Sequence, residues 1–350
     1  MLKLFCDRRR TPERYYLAEA EERMVIQDDV RECVGFLYAG GQNKSKQIMG
    51  TVFFVSVVDD SNPVSHVAWT YAITARHVIE DIKKWGDDGK VHIRLNRTSG
   101  GSKYVDVKID GWKPHPHDRL LDVMVLQCDI LRGFDVKTIP VKMFLDDRTI
   151  SLYGIGPGDE TFIVGLFEPH PGTDRNIPIV RIGNIAAMPN EPIKTKRGDG
   201  KAYLIEARSI SGLSGSPVFL NIGPSRVVNG NVMYAHDDDG YQVPSKCFFL
   251  GSVRGHYDSE LRDRTKSRML NEDEFINVGI AMVVPSQQIF EALNQKEFVV
   301  ERGKQKEEEK PKYFPTEDSS LLARSVVEAA IGEPLIRPKS KPKKRAKKGG

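Results

Sequence analysis

The stretch Ser209-Ile210-Ser211-Gly212-Leu213-Ser214-Gly215-Ser216-Pro217-Val218-Phe219 sets a serine between glycines on a tight turn that runs into an apolar strand. Small neighbours let a carbonyl approach a hydroxyl, and free backbone N–H groups on such a turn can face a developing oxyanion. A hydroxyl nucleophile needs a base, and the base needs an orienting acid. Upstream, His77 in Thr74-Ala75-Arg76-His77-Val78 ends an apolar strand, where a turn would hold an imidazole at a rim. Asp122 in Leu121-Asp122-Val123-Met124-Val125-Leu126 is a lone carboxylate directly ahead of another apolar strand. It is placed to hold the far N–H of an imidazole, fix its tautomer and stabilise the imidazolium. Each residue alone also has a bland reading: His77 as a strand-end cap, Asp122 as a turn residue, Ser214 as a loop hydroxyl. The ordered set of three carries the signal, and it selects Ser214 over its neighbours Ser211 and Ser216.

The elements around these residues read as short strands. Cys33–Tyr38, Gly50–Val58, Ala68–Ala75, Val91–Leu95, Tyr104–Ile109 and Asp122–Leu126 are β-rich, several alternate apolar with polar residues, and Gly, Asn or Asp clusters separate them. The one helix expected in this half is a turn or two at His77–Ile82. A second β-rich block spans Glu160–Gly165, Ile179–Ile185, Ala202–Ala207, Ser216–Leu220, Phe248–Val253 and Val278–Val284. Ser286–Leu293 then reads as a closing helix with a serine cap. Two blocks of similar size suggest two barrels, divided as an extension 1–25, a block 26–138 carrying the histidine and acid, a block 139–296 carrying the serine, and a charged tail 297–350.

Composition bounds the rest. The chain has 350 residues, 39% apolar, enough for sizeable cores. Charges follow a very short apolar patch at the start, the reverse of a secretory signal, and no run approaches a membrane span. Four cysteines without metal-ligand spacing, Cys6, Cys33, Cys128 and Cys247, fit a reducing compartment, with the cytoplasm as the expectation. The net charge is +4, yet the last fourteen residues alone hold eight Lys or Arg and no acid, so the body is acidic. That run, 337–350, reads as a disordered solubilising tail, with nucleic-acid contact as the alternative. Leu321–Ile331 is an amphipathic island that suits either a docking helix for a protein partner or a frayed linker helix. No metal and no cofactor are expected. Gly154-Ile155-Gly156-Pro157-Gly158 contains a proline and reads as a turn, not a phosphate cradle. His66, His92, His115, His117, His170, His236 and His256 are scattered as strand-edge or loop histidines, with His115 and His117 close enough to pair.

Thr74-Ala75-Arg76-His77, Asp122-Val123-Met124-Val125-Leu126 and Gly212-Leu213-Ser214-Gly215-Ser216-Pro217-Val218 resemble, in that order, the three catalytic blocks of the trypsin-like (chymotrypsin-fold) serine peptidases. Gly50–Val55, Leu250–Gly255 and Gly279–Pro285 resemble strands of the bacterial, disulfide-free members. The likeness covers roughly residues 30 to 293. It implies an all-β fold of two antiparallel six-stranded-type β-barrels with a short C-terminal helix, and a site in the cleft between them. It further implies a serine endopeptidase acting on polypeptides through an acyl-enzyme, with Ser214 as nucleophile, His77 as base and Asp122 as orienting acid. The oxyanion hole would be the N–H groups of Gly212 and Ser214. Arg208 would lie at the floor of the specificity pocket, favouring an acidic residue before the cut if it points inward, and Val253, Arg254 and Gly255 would form one wall. Leu213 stands where activated digestive members have an aspartate, Val78 where secreted members have a cysteine, Ser216 for a second glycine, and Met124 for a usual alanine. The alternatives are a non-cleaving homologue that binds a peptide or partner chain in the same cleft, and a protein tethered to nucleic acid by its tail.

Overall fold

The computed structural model describes residues 28–41, 44–59, 68–194, 199–207, 212–236, 240–243, 245–259 and 276–309. The extension 1–25, the 321–331 island and the basic run 337–350 lie outside them. The chain divides after Arg302, and everything that positions the site lies before that division.

The first half is an eight-stranded sheet. Its strands are β1 (Val34–Gly41), β2 (Lys44–Val58), β3 (Ala68–Thr74), β4 (Lys90–Asn96), β5 (Ser102–Lys108), β6 (Lys113–Pro114), β7 (Met124–Gln127) and β8 (Ile139–Pro140). They pair in the order β5-β4-β1-β2-β3-β7-β6, with β8 running parallel to β2. One helix of ten residues, α1 (Arg76–Trp85), follows β3 and buries Val78, Ile79 and Ile82. It is longer than the sequence suggests, because Glu80, Asp81, Lys83 and Lys84 occupy its outer face and mask the apolar spacing.

The second half closes on itself. The strands β9 (Glu160–Gly165), β10 (Ile179–Ala187), β11 (Tyr203–Glu206), β12 (Pro217–Ile222), β15 (Lys246–Ser259) and β16 (Ile276–Pro285) form a barrel in the order β10-β11-β16-β15-β12-β9. Between β12 and β15 stands a separate hairpin, β13 (Ser225–Val228) and β14 (Asn231–Tyr234). Its turn is Asn229-Gly230, both at positive φ, as the two-residue turn of a twisted hairpin requires. Closure is thus shown for the second block alone, where the sequence suggests two barrels. In the first block the ladder ends on β5, whose residues are half-exposed or exposed throughout, and on the two-residue β6.

Three further helices follow in chain order, and a four-residue helix, Asp28–Arg31, precedes β1. Helix α2 (Asp147–Tyr153) is capped by the Asp146 carboxylate, which accepts from the Thr149 N–H, and ends at Gly154 in the left-handed region. Helix α3 (Ser286–Leu293) lies where the sequence places it, but Ser286 is not its cap: the buried hydroxyl donates to the Leu145 carbonyl at 2.9 Å. Helix α4 (Lys296–Glu309) occupies the start of the segment that composition assigns to an unpacked tail. Phe298 and Arg302 are buried there, a pattern that charge counting conceals.

Strand β2 explains how the halves are joined. Alternate residues point to opposite faces, and here both faces are buried. Val52 and Phe54 enter a core with Leu37, Ile79, Ile82 and Ile93. Phe53 and Val55 enter another that also holds Phe162, Phe219 and Phe249 of the barrel. The Phe53 and Phe249 rings lie 5.3 Å apart, so the seam between the two sheets is a shared hydrophobic core.

Candidate active site

Helix α1 begins directly after β3, so His77 sits in its first turn, where N–H groups have no helical acceptor. Ala75, at the cap position, supplies no side-chain oxygen. Asp122 does so from 45 residues away. Its Oδ1 accepts the His77 backbone N–H at 2.9 Å and its Oδ2 faces Nδ1 of the same residue at 2.7 Å. One carboxylate therefore caps the helix and orients the imidazole together, and the positive end of the helix favours the negative charge. An ionised carboxylate only accepts, so the proton lies on Nδ1 and the Nε2 lone pair is left for a substrate-side proton. Asp122 is 5% exposed. Met124 does not unseat it, because its side chain packs partly buried against the Leu37–Ile79 core while its backbone pairs with Thr74.

The serine turn is brought to this pair by Thr51, a fully buried residue of β2. Its N–H donates to the Ser214 carbonyl at 3.0 Å and its hydroxyl donates to the Gly212 carbonyl at 2.8 Å. The same hydroxyl accepts the Leu166 N–H at 3.0 Å, and the Thr51 carbonyl accepts the Thr74 hydroxyl at 2.7 Å. A Cβ placed on Gly50 would lie 3.0 Å from the Ser214 carbonyl oxygen and 3.1 Å from the Val78 side chain, so the serine turn and the residue after His77 are neighbours. Gly215, at φ +82, packs so closely that a Cβ there would overlap the Thr51 carbonyl and the Thr74 hydroxyl and lie 3.0 Å from the Ala75 nitrogen.

Gly212 has φ +94, the region glycine enters without strain. Its carbonyl is turned to Thr51, and among the described residues no backbone acceptor takes the N–H of Gly212 or Ser214. Val253 supports the far side of the turn. Its carbonyl accepts the Gly215 N–H at 2.9 Å and its N–H donates to the Ser216 carbonyl at 2.8 Å.

A cleft of about 370 Å³ opens beside His77 and Asp122, lined further by Arg76, Glu80, Asp81 and Lys84 of α1, by Arg119 and Leu120 ahead of Asp122, and by Arg254. Arg254 reaches it because it is the extra residue of a bulge in β15: Val253 pairs with Val283 and Gly255 with Met282. Arg208 lies outside the described residues. Within the cleft, Arg76 pairs with Glu80 at 2.7 Å and Lys84 with Asp81 at 3.2 Å. The Arg119 side chain is exposed and has no partner among the described residues.

Other chemistries find less support. Burial raises the thiol of Cys33, pushes Cys128 to about 12 and Cys247 to about 11, so none offers a thiolate near neutral pH. Among the described residues no cluster of three His, Cys, Asp or Glu could hold a metal ion. No helix among them is long and apolar enough to cross a membrane.

Three residues of the site are not apparent in the sequence. Thr51 looks like an ordinary β-former between Gly50 and Val52, and Arg119 and Leu120 look like loop surface. His92, read as a strand-edge histidine, is buried between Asp106 at 2.7 Å and Asp88 at 2.9 Å, one carboxylate to each ring nitrogen, and serves the sheet rather than the cleft.

No family model matches this chain. No curated protein matches it either. Among solved structures it is similar to the MamO protease domain from Magnetospirillum magneticum in its apo form, at 12% identity over 75% of this chain and 96% of that chain, with a TM-score of 0.41. A superposition that loose carries no argument about this chain.

Proposed function

We propose that this chain is a serine endopeptidase of chymotrypsin-like architecture, in which the first sheet acts as the counterpart of the closed barrel. The observation that carries the reading is the double grip of Asp122 on the N–H and Nδ1 of His77, whose helix starts beside the glycine-flanked serine turn held by Thr51. In this reading Ser214 Oγ attacks the substrate carbonyl while His77 Nε2 takes its proton. The N–H groups of Gly212 and Ser214 receive the oxyanion, each worth about 3 kcal/mol in the transition state. His77 then gives the proton to the leaving amine, and water releases the acyl group by the same route. No step calls for a metal or cofactor.

A fluorophosphonate probe tests this directly. It should label the wild-type chain at Ser214, identified by peptide mass, and leave Ser214→Ala unlabelled. Failure to label folded wild type would instead favour a cleft that binds a peptide without cutting it. Removing residues 337–350 should leave labelling unchanged, since the described contacts of the site are all made by earlier residues; binding to nucleic acid, if any, would disappear with them and weaken steeply with salt. A reducing, cytoplasmic setting fits the unbridged thiols of Cys33, Cys128 and Cys247.

The cleft also suggests a preference. Glu80 and Asp81 are engaged by Arg76 and Lys84, Asp122 by His77, and Arg254 is buried, so Arg119 is the exposed cation of the cleft without a partner among the described residues. We expect peptides with an Asp or Glu close to the cut to be favoured over their Asn or Gln counterparts. An exposed pair is worth little, so Arg119→Glu should raise KM for the acidic peptide by about two- to fivefold and leave kcat unchanged. Equal KM values for the matched peptides would remove the preference.

A further inference from the structure

We infer that His115 is a positioning residue for Asp122, holding the loop that delivers the carboxylate to His77. Its catalytic consequence rests on the peptidase reading, whereas its effect on the His77–Asp122 hydrogen bond does not.

His115 is 5% exposed, in the loop between β6 and β7. Its Nδ1 accepts two backbone N–H groups, from Asp118 at 2.9 Å and His117 at 3.3 Å. Two donors aimed at one nitrogen force the ring proton onto Nε2. That nitrogen is buried and lies 3.3 Å from Glu291 Oε2 of α3, within ion-pair range although its alignment falls short of a hydrogen bond. The ring thus turns the chain sharply at residues 115–118 and places its buried Nε2 beside the closing helix. From there the order is passed on: Asp118 Oδ1 accepts the N–H of Leu120 at 2.8 Å and of Leu121 at 3.2 Å. Leu121 is buried in the core shared by the two sheets, and the next residue is Asp122. Every step from Glu291 to the carboxylate that grips His77 is therefore a polar contact or a buried side chain. Lys113 and Glu297 of α4 make a further, longer contact beside it, at 3.8 Å.

The general chemistry supports the assignment. A neutral side-chain acceptor for two consecutive N–H groups in a loop is what an Asx-type turn uses. A histidine does the same at longer reach while filling space beneath a helix.

The test uses the full-length chain and reads the low-field proton resonance of the His77–Asp122 hydrogen bond, together with the rate of fluorophosphonate labelling. His115→Phe keeps a buried ring but removes the acceptor; His115→Asn keeps an acceptor able to reach the N–H groups two and three residues on. We expect His115→Phe to lose or broaden the resonance and to slow labelling by about 10- to 100-fold, the cost of a misplaced group. His115→Asn should keep the resonance and most of the rate. If His115→Phe does not fold, Asp118→Ala breaks the next link and should give the same loss. A folded His115→Phe or Asp118→Ala chain with an unchanged resonance overturns the inference. A wild type with the resonance but without labelling overturns the peptidase reading and leaves the positioning role still decided by the resonance.

Discussion

Asp122→Asn is expected to lower kcat by about four orders of magnitude while barely changing KM or stability. The fold survives because the amide oxygen of asparagine can still accept the His77 backbone N–H, the contact that Asp122 Oδ1 now makes at 2.9 Å. The loss arises at the second contact. The amide N–H of asparagine would face Nδ1 where Oδ2 now lies at 2.7 Å, and would hold that nitrogen unprotonated. The proton then moves to Nε2, which can no longer accept one from Ser214. Steady-state hydrolysis of a fluorogenic peptide, with thermal melting of both chains as the control, checks the claim. A retained kcat within tenfold of wild type would show that Asp122 serves only as a helix cap. Asp122→Ala separates the roles further, because it also removes the cap, at about 1 kcal/mol of stability.

The second large effect concerns packing. Gly215→Ala should destabilise the fold by about 3 kcal/mol or more, from the sum of a left-handed backbone that alanine disfavours and an overlap that cannot relax cheaply. The Thr51 carbonyl oxygen overlaps and the Ala75 nitrogen lies at 3.0 Å, both main chain, so neither can rotate away. The serine turn must lift off β2, and its hydrogen bonds to Thr51 are strained with it. Gly156→Ala is the matched control: no atom lies within 4 Å of its added methyl and its φ is not positive, so the change should stay within about 0.5 kcal/mol. Urea denaturation midpoints for the two variants decide the matter. Equal midpoints would mean that the turn does not press on the first sheet as described.

These effects also mark what could be read before the fold was known. His77, Asp122 and Ser214 stand out because each lies at the edge of an apolar run, where an isolated polar residue is conspicuous, and the structure brings His77 and Asp122 into direct contact. Most strands are legible for the same reason, as alternation or as β-branched runs. The Asn229-Gly230 hairpin and the Asp146-to-Gly154 helix carry standard turn and cap residues, weaker in the sequence than the apolar runs around them. The distant contacts of Thr51 and His115 are not legible in the sequence. Their partners are Gly212, 161 positions on, and Glu291 on the far side of the barrel sequence, and no local pattern encodes a contact over such spans. Closure is shown for the second block alone, and it is not legible in the sequence, since the number of strands says nothing about whether the last pairs with the first.

The reach of the Thr51 contacts bears on when the protein becomes what it is. Its hydroxyl is completed by Leu166 and Gly212, and Tyr71, on the strand that leads to His77, is completed by Arg302, whose guanidinium donates to its hydroxyl at 2.8 Å. On the ribosome those partners emerge in that order, and the last of them emerges long after His77 and Asp122 have been made. Pairings of such length form slowly and late. On the peptidase reading, a growing chain therefore carries its reactive groups without these supporting contacts until Arg302 has been made and the helix that bears it has docked.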